Sequence, residues 1–125
     1  MNVDEPPPAV PDGVLVQSLV VHGDGERAGY RIYRDGRYQT LPRGGDWEDG
    51  EPLGADRLER VERAIEAEPF DDLPGRYEGV IGEGEPNVLW LQVAPGDSVR
   101  SVSVVGERRV PELERLTARL TDAFR

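Results

Sequence analysis

Few residues in this chain can do covalent or metal chemistry. His22 is the only histidine and cysteine is absent, which excludes two-histidine metal sites, thiolate zinc sites, disulfides and a cysteine nucleophile. The serines are Ser18, Ser98, Ser101 and Ser103. None lies in a G-x-S-x-G elbow, so His22 has no evident nucleophile to serve and reads as a residue at a strand end. The glycine stretches HGDGERAG and GEGEP lack the lysine and following helix of a phosphate cradle, and their acids repel phosphate. Carboxylates are plentiful, but acid–base work needs an apolar or like-charge setting that separates two pKa values. Hard oxygen ligands gather at Asp46, Glu48, Asp49 and Glu51, and again at Asp24 and Glu26, without the fixed offsets of an EF-hand. The expectation is a non-enzyme without a cofactor, with calcium on the Asp46–Glu51 acids as the one metal option.

Recognition chemistry is better represented. YRIYRDGRYQTL sets Asp35-Gly36 between two β-rich runs, and a two-residue type I′ turn there pairs Arg34 with Arg37 and Tyr33 with Tyr38. In that register Tyr30, Ile32, Arg34, Arg37, Gln39 and Leu41 share the core face, while Arg31, Tyr33, Tyr38 and Thr40 share the other. Tyr33, Tyr38 and Arg31, with Trp47 in reach, are the residue types that dominate binding hot spots; ordinary packing beneath a helix or loop is the competing reading. Trp47 stands in RGGDWEDGEP, Arg43–Pro52, the least apolar part of the chain. It is expected to fold over Tyr33 and Tyr38, or over the start of the first helix, and so anchor its loop. Trp90, between two leucines in NVLWLQV, reads as core.

The elements that must position these groups follow from periodicity. VLVQSLVVH (Val14–His22) is a strand buried on one face and partly covered on the other, ended by the turn in His22–Gly29. Leu58, Val61, Ala64 and Ile65 form the apolar stripe of a helix over Ala55–Glu68, with Asp56 in its first turn and Pro69 as its stop, and Phe70 and Leu73 pack the exit. RYEGVIG is a weak strand and NVLWLQV a strong one. After a turn at Pro95-Gly96-Asp97, VRSVSVV puts Val99, Ser101, Ser103 and Val105 on one face and Arg100, Val102 and Val104 on the other. Pro111 opens a last helix with Leu113, Leu116, Leu120 and Phe124 on its stripe. This order predicts an α+β domain: a single antiparallel sheet of about five to six strands with two helices packed on one face. Residues 14–125 form that domain, and residues 1–13, rich in proline and acid, form a flexible lead-in.

The 125 residues carry 25 acids and 15 bases, all of them arginine, for a net charge of −10. That balance repels nucleic acid and anionic lipid and favours a basic or neutral protein partner. No apolar run is long enough for membrane insertion, and the start of the chain lacks the features of an export signal, so a cytoplasmic location is expected; an exported or lipid-anchored protein behind a removed leader is the alternative.

PFDDLP after the first helix, the later strand VRSVSVVG and the proline-started terminal helix, over residues 14–124, resemble small bacterial proteins of the emfourin type. The resemblance implies inhibition of thermolysin-like metalloproteases, with Gly23, Asp24 and Gly25 in HGDGERAG as the matching inhibitory stretch. The functional expectation is a protein-interaction module, within which protease inhibition and immunity-type roles fall. A small-molecule-binding domain with its pocket between sheet and helices is the alternative, as is a surface-tethered domain.

Overall fold

The computed structural model describes residues 7–67, 75–79, 87–94, 99–106 and 110–124. Among them the elements are β1 (Val14–Val21), β2 (Arg27–Tyr33), β3 (Tyr38–Leu41), β4 (Glu48–Asp49), α1 (Ala55–Ala67), β5 (Arg76–Glu78), β6 (Val88–Val93), β7 (Arg100–Val105) and α2 (Pro111–Phe124). The strands form one sheet in the order β4-β3-β2-β1-β6-β7-β5. The α+β class with a single sheet agrees with the periodicity; the strand number and the purely antiparallel pairing do not. β4, with two residues, is too short for alternation to mark it and is the added strand; β5 is three residues of the weak RYEGVIG strand. β5 skips its sequence neighbour β6 and lies parallel to β7, so the sheet is mixed with seven strands. Residues 68–74, 80–86 and 95–98, which include the PFDDLP stretch, Phe70, Leu73 and the Pro95–Asp97 turn, lie outside the described residues, as does the Phe124 side chain.

β1 is flanked by β2 and β6, and its residues are buried on both faces, which is why VLVQSLVV is apolar almost without interruption. On one face Val16, Ile32, Leu91, Val93, Val102 and Val104 form a single cluster with Val61, Ala64 and Ile65 of α1 and Leu113, Leu116 and Leu120 of α2. Both helix stripes read from 3.6-residue spacing are therefore the buried ones. Trp90 belongs to the opposite face, where it pairs with Leu19 and Ser103 and is half-buried, so it is not part of the helix-side core.

The β2–β3 hairpin departs from the expected register. Tyr33 N–H donates to Arg37 O and Gly36 N–H to Tyr33 O, and Ile32 pairs with Tyr38, Arg31 with Gln39, and Tyr30 with Thr40. The loop is three residues, Arg34-Asp35-Gly36, with only Gly36 at positive φ, +94°; this is a type I turn closed by a G1 bulge rather than type I′. One extra loop residue turns every β3 side chain to the other face. Tyr38 joins Tyr30 against the helix-side core, their ring centroids 6.4 Å apart, and Gln39 and Leu41 move to the side of Arg31 and Tyr33. The expected Tyr33–Tyr38 pair therefore does not form. The β1–β2 tip repeats the same device: His22 N–H donates to Glu26 O, Gly25 N–H to His22 O, and Gly25 has φ +91°.

Candidate functional site

The face away from the helices carries a row of polar residues that crosses six strands. Ser101 of β7 pairs with Gln92 of β6, Gln92 with Gln17 of β1, Gln17 with Arg31 of β2, Arg31 with Gln39 of β3, and Gln39 with Asp49 of β4. Most neighbours along it are hydrogen-bonded. Gln92 Nε2 donates to Ser101 Oγ at 3.2 Å, Gln17 Nε2 to Gln92 Oε1 at 2.9 Å, Arg31 Nε to Gln17 Oε1 at 2.5 Å, and Gln39 Nε2 to Asp49 Oδ1 at 2.9 Å. The Tyr33 hydroxyl donates to Gln39 Oε1 at 3.0 Å. Gln17 and Gln92 are 0% and 2% exposed, so these bonds replace water that the side chains have lost.

Two cation–π stacks stand on the β4 end of this row. The Arg31 guanidinium lies 3.7 Å from the Trp47 ring centroid, and Arg37 lies 4.1 Å from that of Tyr33. Burial pushes the Arg31 pKa below its ordinary value, with Tyr33 opposing the shift; partial desolvation is the condition under which cation–π attraction strengthens toward about 2 kcal/mol. Trp47 thus stacks on Arg31 of the adjoining sheet. The loop is held at further points as well. Arg43 bridges to Asp24 at 3.0 Å and to Glu26 at 3.5 Å, and the Leu53 N–H donates to Gly36 O. Gly23, Asp24 and Gly25 are therefore joined to the Arg43–Pro52 loop through Arg43.

The expected site residues divide accordingly. Half-buried Arg31 and Trp47 come together with exposed Arg37 and with Tyr33, itself 7% exposed, on the face away from the helices; Tyr38 lies on the opposite face. Burial, with Tyr38 beside it, pushes the Tyr30 phenol above its ordinary value, which keeps it protonated. Among the described residues no three carboxylates or imidazoles are grouped to hold a metal ion, and Asp49 Oδ1 accepts from Gln39 Nε2. No helix among the described residues is long and apolar enough to cross a membrane. The residues that sequence reasoning passed over are the glutamines. The available signal was one glutamine in each of two otherwise apolar strands, VLVQSLVV and VLWLQV.

Asp24 and Asp35 close the two hairpins in the same way. Each carboxylate accepts the N–H two residues on, from Glu26 at 2.9 Å and from Arg37 at 3.0 Å. That backbone bond is the first cause holding both carboxyls below the ordinary value of 3.8, and Arg43 and Arg37 respectively assist. The folded chain therefore binds these protons less readily than the unfolded chain. Their contribution to stability is complete above the unfolded-state value and is lost as pH falls through the folded-state one. Between pH 5 and pH 2.5 the urea midpoint of the wild type is expected to fall more steeply than that of Asp24→Asn/Asp35→Asn, whose amide oxygens keep accepting without titrating. Parallel curves would show that the two turns are not linked to pH.

No family model matches the chain, and neither does any curated protein.

Proposed function

We propose that the protein is a non-enzymatic interaction module whose contact surface is the Trp47–Arg31 and Tyr33–Arg37 pair of stacks with the loop around them. The observation that carries this reading is the Arg31–Trp47 stack: an aromatic and an arginine, preorganised on a rigid sheet face away from the helices and only half-buried. Preorganised aromatic and arginine anchors bind at low entropic cost. Asp46, Glu48 and Glu51, within four residues of Trp47 in the sequence, are exposed, and with a net charge of −10 they favour a basic or neutral protein over nucleic acid or anionic lipid. Protease inhibition fits inside this reading. In that case the β1–β2 tip at Gly23, Asp24 and Gly25, tied to the same surface by Arg43, is the segment offered to a cleft. A small-molecule role is less well supported. The cleft between β1 and α1 lined by Leu15, Arg34, Glu62, Ile65 and Glu66 has about 170 Å³, against roughly 300 Å³ or more for such sites.

The test couples binding to stability. With the full chain as bait in host lysate at low salt, a specific partner is expected; Trp47→Ala should lower its capture at least tenfold while costing no more than about 2 kcal/mol of stability, so that the variant stays folded. Unchanged capture by Trp47→Ala, or no specific partner for the folded wild type, overturns the reading.

A further inference from the structure

The chain before β1 crosses the same face, away from the helices. Gln92 Nε2 donates to Pro8 O at 2.9 Å and Gln17 Nε2 to Ala9 O at 3.2 Å. Two successive peptide carbonyls are thus received by two side-chain amides that are 2% and 0% exposed. Strand pairing does not explain the contact, since Pro8 has no N–H and the acceptors are met by side chains. An extended, proline-containing peptide displays just such carbonyls with no ladder donors of its own.

The amides are aimed independently of the segment they hold. Of the two N–H groups on Gln17, one is spent on Gln92 Oε1, and its Oε1 accepts from Arg31; of the two on Gln92, one faces Ser101 Oγ. Each amide is left with a single N–H, and both point at the crossing peptide. If residues 8 and 9 depart, the two N–H groups they cover open to the outside and exchange peptide carbonyls for water. Two amides held by their other bonds then present paired donors that a second peptide with the same carbonyl pattern fits.

We infer that Gln17 and Gln92 form the floor of a peptide-binding groove, that its occupant in function is a proline-containing extended segment of a partner protein, and that Pro8–Ala9 fill it in cis until displaced. This inference does not depend on the Trp47 surface, whose variants leave both glutamines intact.

The test uses the full chain. Because it contains no cysteine, Ala9→Cys accepts one nitroxide label, and the exposed Ala9 side chain keeps that label outside the groove. The label is expected to broaden the Gln17 and Gln92 side-chain amide signals of ¹⁵N-labelled protein. A short tether supplies an effective concentration in the millimolar range. The free capped peptide PPPAVPDG at about 10 mM should therefore restore at least half of both intensities, saturably. The peptide GGGAVGDG, which lacks the preformed extended helix, should leave them broadened. The inference is overturned by absent broadening in the chain alone, by no recovery with PPPAVPDG, or by equal recovery with both peptides.

Discussion

Alanine at position 29 is expected to cost about 3 kcal/mol or more, toward the upper end for overpacked interiors, and to lower the melting temperature by about 10 °C or more. Gly29 sits inside β2 opposite Leu19. A Cβ there would lie 2.0 Å from Ser18 O and 3.0 Å from Leu19 Cα. Both are backbone atoms, so no rotamer change relieves the contact. β1 cannot simply retreat, because it pairs with β6 on its other side over Val16–Val21. The contrast is Gly25→Ala, where nothing lies within 4 Å but φ is +91°; the left-handed backbone alone should cost about 1–2 kcal/mol. Thermal and urea melts of the two variants compare directly. A Gly29→Ala chain that melts within a few degrees of wild type would show that the strands separate more easily than this packing implies.

Gly29 also marks the limit of what the sequence discloses. Among the three glycines of HGDGERAG it reads as turn material, yet β2 has already begun at Arg27. Spacing cannot distinguish a glycine needed for positive φ from one needed because another backbone approaches. The helices and the longer strands were legible, because 3.6-residue and two-residue periodicities report which face is buried. The hairpin was legible in place but not in register. Asp-Gly suits both a two-residue and a three-residue loop; in the three-residue loop found, Asp35 caps the Arg37 N–H, a contact that no local pattern announces. That one residue separated Tyr38 from Tyr33 and with it half of the expected aromatic pair. Arg31, Tyr33 and Trp47 survived the shift because they rested on residue type and on one strand's alternation. The polar row, by contrast, is a property of pairing across six strands and becomes visible only once every register is known.

Breaking that row should reveal that its members act as a unit. Gln17→Leu removes the donor to Gln92 Oε1 and Ala9 O and the acceptor for Arg31 Nε, leaving polar atoms at a buried site; about 2–3 kcal/mol is expected. Gln92→Leu strips partners from Gln17 Nε2, Ser101 and Pro8 O and should cost about 2 kcal/mol. In the double variant the amide–amide bond has lost both ends, so neither single variant's orphan from that bond remains. Its cost should fall short of the sum by at least about 1 kcal/mol, read from urea midpoints over a double-mutant cycle. Additivity within about 0.5 kcal/mol would mean that the two glutamines are merely adjacent. The consequence reaches the proposed interface, because Arg31 holds Gln17 on one side and stacks on Trp47 on the other. Gln17→Leu should therefore loosen Trp47 without touching it, seen as increased quenching of its fluorescence in a Trp90→Phe background.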